Sequence, residues 1–283
     1  MRLPPRLLQR RPDTHKGDFG HIFILAGSGR FSGAAVLCAE AAMRTGAGLV
    51  TLGMPKSLTN AIIKIKPKEI CLEPLPETKK ASLSLAAFGK IKEFCKKIDI
   101  LIIGPGLSED KSTQNLIRKI IKTIDKPLVI DADGINALAG HLDLLKEIKK
   151  EKILTPHPGE MARLLNTKKE FVQSNRNVIA KDFASRYNLT IILKGFKTIV
   201  ADKRNIYINK TGNPGMSTAG SGDVLTGMVA ALWGQGLDAF SASKYATYLH
   251  GLAGDLAAKE KTQMGMIASD IIAKIPEAIK LSS

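Results

Sequence analysis

The stretch TIILKGFKTIVADKRNIYI, residues 190–208, contains three apolar runs, at 190–193, 198–201 and 205–208. Only Asp202, Lys203 and Arg204 part the last two. A connection that short closes an antiparallel hairpin, since a parallel neighbour would need a crossover of about a dozen residues. Upstream the spacing is of the longer kind. Apolar runs at 21–26, 49–52, 98–103, 128–130 and 152–154 lie among helical patterns at 33–45, 82–97, 112–123 and 168–187, and the patterns 221–233 and 239–258 follow the hairpin. Strand alternating with helix is the signature of βαβ units. The spacing therefore predicts an α/β fold, a mostly parallel sheet with an antiparallel hairpin at one edge. No internal repeat or linker interrupts the pattern. Residues 1–283 are expected to form one domain, a size that doubly wound folds reach without splitting.

Composition narrows the class. Hydrophobic residues make up 44% and charged residues 24% of the chain, ordinary globular usage that can bury a large core. The 42 lysines and arginines against 26 aspartates and glutamates leave a formal charge of +16, whose field draws anionic partners. The lysines come as scattered pairs, such as Lys79-Lys80 and Lys149-Lys150, and aromatic residues reach only 5%. Stacking platforms for nucleic acid are therefore sparse, and a small phosphate ligand is the expected partner. Cys38, Cys71 and Cys95 stand far apart without metal-ligand spacing, which suits a reducing compartment, and a cytoplasmic placement is expected. The basic opening MRLPPRLLQRR lacks the unbroken apolar stretch of a signal peptide. No run approaches the ~20 apolar residues of a membrane helix, so no membrane is expected.

In open α/β sheets ligands gather beyond the carboxyl ends of the strands, so the loops after the strands carry the functional reading. They are rich in glycine: AGSGRFSG at 26–33, GPGL at 104–107, DADG at 131–134, TPHPGE at 155–160 and KGFKT at 194–198. The strongest signal is NPGMSTAGSGDVLTG, residues 213–227. Gly220, Ser221 and Gly222 lead into the apolar pattern Val224, Leu225, Met228, Val229 and Leu232, which sets the start of a buried helix at an anion cradle. Asp223 would repel a phosphate there unless it has chemistry to perform. A general base that takes the proton of an attacking hydroxyl meets that condition, and a plain helix cap is the alternative. The segment lacks the Lys-Ser/Thr ending of a P-loop, GSGRFSG at 27–33 misses the dinucleotide fingerprint by one residue, and no GxSxG elbow occurs.

Other candidates are individually weaker. His157, held between Pro156 and Pro158, is displayed for a polar substrate or serves the loop's own structure. Lys194-Gly195 puts an ammonium and a bare backbone at one strand end, for a nucleotide or for a turn. Asp131 and Asp133 face a Mg²⁺ with its waters or cap the next helix. His15, His21, His141 and His250 show no metal-like grouping.

The ordered set HKGDFG (15–20), LAGS (25–28), SGAA (32–35), RTGAGLV (44–50), IGPGL (103–107), VIDADG (129–134), LTPHPGE (154–160), LKG (193–195), NPG (213–215) and GSGDVLTG (220–227) covers nearly the whole chain. Together these stretches resemble the ADP- or ATP-dependent NAD(P)H-hydrate dehydratase family, a branch of the ribokinase-like superfamily. The resemblance implies a three-layer αβα sandwich. It also implies a repair reaction in which hydrated NADH or NADPH loses water at the expense of a nucleotide phosphate, giving NAD(P)H, AMP and phosphate when ADP is the donor. By position, Ala35, Gly106, His157 and Asp223 would touch the hydrated dinucleotide, with Asp223 as the base. Lys194, Gly195, Phe196, Lys197 and Thr198, with Gly220, Ser221 and Gly222, would hold the adenine nucleotide. Mg²⁺ is implied by the nucleotide chemistry, without assigned protein ligands. A tetramer, and a separate NAD(P)H-hydrate epimerase acting in the same pathway, are implied by analogy. Where the family commonly reads GGTGD, this chain has Ala219-Gly220-Ser221-Gly222-Asp223, whose side chains stay small. The rivals are a ribokinase-like kinase of a vitamin precursor or sugar, and a non-catalytic nucleotide sensor; TPHPGE and HKGDFG favour the dehydratase.

Overall fold

The computed structural model describes all residues, Met1–Ser283. Nine strands form one sheet: β1 (His21–Leu25), β2 (Leu49–Pro55), β3 (Cys71–Leu75), β4 (Ile100–Ile103), β5 (Leu128–Ile130), β6 (Lys152–Leu154), β7 (Thr190–Leu193), β8 (Ile199–Ala201) and β9 (Ile206–Ile208). Their lateral order is β3-β2-β1-β4-β5-β6-β7-β8-β9. The pairs from β3 across to β7 are parallel, while β8 turns back on β7 and β9 on β8, so the hairpin read from residues 190–208 sits at one edge. The chain builds outward from β1 in one direction and resumes at β4 in the other. The crevice between β1 and β4 is the topological switch point, where such sheets receive ligands.

The longer helices are α1 (Ser32–Arg44), α2 (Thr59–Ile65), α3 (Phe88–Phe94), α4 (Lys111–Thr123), α5 (Pro158–Leu164), α6 (Arg176–Tyr187), α7 (Ser221–Gly234), α8 (Ala239–Gly265) and α9 (Ala268–Lys280). Alternating strand residues divide them into two layers. Ile22 and Ile24 of β1, with Ile100 and Ile102 of β4, point into one core with α1, α7, α8 and α9. Phe23, Leu25, Leu101 and Ile103 point into the other with α3, α4, α5 and α6. These strands are buried on both faces, which is why they read as continuous apolar runs rather than alternating ones. The result is the expected three-layer αβα sandwich. No helix is long and apolar enough to cross a membrane.

Helix α7 is the central post of its layer. Val224 through Trp233 are all buried, so it is covered around its whole circumference and apolar there apart from Thr226. Gly227 lets it lie against α1: a Cβ there would stand 2.1 Å from the carbonyl oxygen of Cys38.

Several expected elements are corrected by the structure. The strand Cys71–Leu75 was not anticipated; it carries Glu73 and Pro74 and is only partly buried, as an edge strand can be. The helix expected at 82–97 narrows to Phe88–Phe94, flanked by single turns of 3₁₀ helix. The pattern at 168–187 breaks at Asn175 into Lys169–Ser174 and α6. Helix α8 runs on beyond residue 258 to Gly265, with one non-helical residue at Thr262, and α9 follows where no helix was expected.

Candidate active site

The switch point is lined by close backbone approaches that only glycine permits. Gly104, with φ +134°, sits so near β5 that a Cβ would fall 1.7 Å from the Asp131 carbonyl oxygen. At Gly106 a Cβ would stand 2.6 Å from the carbonyl oxygen of Phe31, and at Gly27 one would stand 3.1 Å from the Cβ of Ala35. The loops after β1 and β4 and the first turn of α1 are thus folded together. Ala35 and Gly106, two sequence candidates far apart in the chain, share this crevice.

The second half of the site is the start of α7. Its N-cap is Gly220, held at φ +89° and offering no side-chain cap. The first intrahelical bond runs from the Val224 amide to the Gly220 carbonyl, and the amides of Gly222 and Asp223 have no acceptor in the chain. Such uncapped amides at a helix start attract an anion. The capping alternative for Asp223 does not hold, because the cap position belongs to Gly220 and no protein donor reaches the Asp223 carboxylate.

Charges converge on this point. Lys194, at the end of β7, sends Nζ to Asp131 Oδ1 at 2.9 Å, and Glu160 Oε2 lies 3.9 Å from the same ammonium. A Cβ on Gly222 would stand 3.2 Å from that Nζ, so the ammonium borders the helix start. Asp131 is 1% exposed and accepts a further bond from Thr226 Oγ1 at 2.7 Å. Burial opposes its ionisation, but Lys194 and the hydroxyls of Thr155 and Thr226 outweigh burial and hold its pKa below the usual range. Burial likewise disfavours the Lys194 charge, and Asp131 with Glu160 overcomes it, so the lysine stays protonated. For Asp223 the pull of Lys194 is outweighed. Burial, reinforced by the negative Asp131, pushes its carboxyl up to about 7. A carboxyl poised there can give and take a proton near neutral pH. Beneath the helix start, His250 Nε2 lies 3.3 Å from the Ser221 hydroxyl, and burial drives this histidine down to about 4, so it is neutral. It is a satisfied core residue.

His157 caps α5. Its Nδ1 accepts from the amides of Gly159 at 3.0 Å and Glu160 at 3.1 Å, while Glu160 Oε2 accepts from the His157 amide at 2.7 Å. This reciprocal box fixes the neutral tautomer with its proton on Nε2. Burial, with Lys194 next in weight, keeps the pKa of His157 below its ordinary value. The two readings offered for His157 are therefore compatible: Nδ1 holds the loop, and Nε2–H remains a donor.

The loop 194–198 leaves β7 with Gly195 at φ +133° and Lys197 at φ +55°, and Phe196 is 85% exposed. Asp133 does not join the charged cluster; it accepts from the Ser108 amide at 2.7 Å and from Asn136 at 3.1 Å. HKGDFG lies before the amino end of β1, at the end of the strands opposite the site. Its Gly20 packs on Gly234, the last residue of α7, so the motif braces the fold rather than touching the crevice. Sequence reasoning did not single out Glu160, Thr226 or Arg176; only the capping-box spacing from His157 to Glu160 carried a local signal.

No group of three His, Cys, Asp or Glu side chains converges into a metal cage. The donor set fits a Mg²⁺ carried on nucleotide phosphates, which keeps much of its water and needs few carboxylates. Glu160 and Asp223 are the acids beside Lys194 with lone pairs to offer it.

A sequence model of the NAD(P)H-hydrate dehydratase family matches residues 22–277. The bifunctional NAD(P)H-hydrate repair enzyme of Moorella thermoacetica is 42% identical over 276 residues, covering 97% of this chain and 52% of that protein. The chain thus spans about half the length of such bifunctional relatives. The ADP-dependent (S)-NAD(P)H-hydrate dehydratase of Neisseria meningitidis is 36% identical over 278 residues, covering 96% of this chain and 88% of that protein. Among solved structures, the ADP/ATP-dependent NAD(P)H-hydrate dehydratase of Bacillus subtilis, co-crystallised with ATP and Mg²⁺, superposes with a TM-score of 0.81 at 29% identity. That match covers 97% of this chain and 94% of that one.

Proposed function

The chain belongs to the NAD(P)H-hydrate dehydratase family, and from that premise we propose that it dehydrates hydrated NADH or NADPH at the expense of ADP, with ATP as the alternative donor. The observation that carries this reading is Asp223, a carboxyl raised to about 7, set beside free helix-start amides and the Lys194 ammonium. Water is a poor leaving group. Asp223 would take the proton of the substrate hydroxyl as its oxygen attacks the terminal phosphorus, while the amides of Gly222 and Asp223 and the Lys194 ammonium stabilise the charge that gathers on the phosphoryl oxygens. The bond to AMP breaks and a phosphate ester forms. Loss of that ester as phosphate, with a proton from the adjoining carbon, would restore NAD(P)H.

In this reading Ala35 and Gly106 bound the dinucleotide crevice and His157 Nε2–H donates to it. Residues Lys194 to Thr198, with Gly220, Ser221 and Gly222, hold the nucleotide. Mg²⁺ would neutralise phosphate charge, with Glu160 and Asp223 as the nearest protein acids. The shared nine-stranded sheet supports one domain over residues 1–283. Homotetramer assembly, a cytoplasmic setting and an epimerase acting in the same pathway complete the proposal, the last supported by the bifunctional relatives.

The test is direct. Purified protein with hydrated NADH, ADP and Mg²⁺ should restore absorbance at the reduced-nicotinamide band. Failure with ADP and with ATP rejects the assignment, and phosphorylation of a vitamin precursor or sugar instead would make the chain a kinase.

A further inference from the structure

Arg176, the first residue of α6, spends its guanidinium on main-chain carbonyls. Its two terminal nitrogens donate to Leu193 at 2.8 Å, to Lys194 at 3.2 Å and to Phe196. No carboxylate is among its partners, and its Nε is buried without any. Burial presses its pKa below the ordinary arginine value, a cost that side chains seldom bear without return.

The return lies in the geometry of the trans peptide, whose C=O and N–H point in opposite directions. Fixing the carbonyls of Lys194 and Phe196 on one guanidinium turns the amides of Gly195 and Lys197 away from it. Neither amide finds an acceptor in the chain. The same clamp accompanies the positive φ angles of Gly195 and Lys197. With Phe196 between these two residues, the turn gathers their free N–H groups into a concave nest of donors suited to an anion. The clamp leaves little slack, since a Cβ on Gly195 would stand 3.3 Å from an Arg176 terminal nitrogen.

We infer that Arg176 is a positioning residue for the nucleotide: it shapes loop 194–198 into an amide nest for a nucleotide phosphate from the far side of the loop, without touching the ligand. This rests on the nucleotide role proposed for that loop. Lysine is a poor substitute, because a single ammonium cannot span carbonyls that a planar fork reaches together.

The experiment measures ADP affinity by titration calorimetry and the KM for hydrated NADH in wild type, R176Q and R176K, alongside thermal melts. R176Q should weaken ADP at least tenfold and leave the KM for hydrated NADH within twofold, with R176K recovering part of the loss. Equal losses for both ligands, or ADP affinity within twofold of wild type in either variant, overturn the inference. R176K keeps the charge and serves as the variant read if R176Q fails to fold. Wild-type protein that binds no ADP would instead sink the nucleotide reading of the loop itself, whereas ADP bound as tightly by R176Q as by wild type sinks the positioning role alone.

Discussion

The Lys194 ammonium lies 2.9 Å from the buried Asp131 carboxylate, though the two residues are 63 positions apart in the chain. This pair fixes the positive charge at the mouth of α7 and, through the Asp131 charge, helps raise Asp223. Most of what can be measured about the site follows from it.

Replacing Asp223 by Asn should lower kcat by about 10²–10⁴, the usual worth of a positioned base, and leave ADP binding within a fewfold of wild type. Wild-type kcat/KM should fall tenfold per pH unit on the acid side of about 7, as the carboxylate is protonated. Turnover in D223N equal to wild type would remove the residue from the chemistry.

The same substitution should stabilise the protein at alkaline pH. The folded-state pKa of Asp223 is raised from 3.8 to about 7, so in that window the folded chain holds a proton the unfolded chain has lost. Stability from this group is full below the unfolded value and is lost as pH rises through about 7. Denaturant melts should show D223N gaining on the order of 1–3 kcal/mol over wild type at pH 8, with the gap closing toward pH 4. A pH-independent difference would mean that burial does not perturb this carboxyl.

Lys194→Met strands the Asp131 charge in the interior and should cost about 3–5 kcal/mol. Adding Asp131→Asn to that variant should return much of the stability but none of the nucleotide affinity. If the double variant melts no higher than the single one, the pair is not what holds these strand ends together.

The capping seen at His157 and the substrate contact proposed for it can be separated by substitution. His157→Asn keeps a good helix cap and should melt near wild type while raising the KM for hydrated NADH severalfold. His157→Ala should show the same KM effect and lose about 1 kcal/mol besides. An unchanged KM in both would confine His157 to capping.

The buried strands were readable because a strand covered on both faces has no polar alternation to confuse it; Leu128–Ile130, Lys152–Leu154 and Thr190–Leu193 match their expected bounds. The strand at Cys71–Leu75 was invisible for the opposite reason, since exposure at Cys71 and Pro74 relaxes the demand for apolar residues. Helix α5 carried Pro158 at its start and Glu160 in capping-box spacing, but a histidine in the cap position is an uncommon signal. The glycine loops could be located because sharp backbone turns leave a compositional mark. The union of Lys194, Asp131, Glu160 and Thr226 could not, because strand order alone brings such distant residues together. Arg176 was hidden for a further reason: its partners are carbonyl oxygens, which every residue carries and no sequence pattern announces.

The bare contact of Gly227 on the carbonyl of Cys38 works as a fixed ruler. In the proposed reading α1 carries Ala35 toward the dinucleotide and α7 carries Asp223 toward the phosphate, and at Gly227 the two helices meet with no side chain on the α7 side. On that reading the gap between the two reactants is set before either arrives. Closing motion is then expected at the rim, in segments such as 26–33 and 194–198, rather than in the posts beneath.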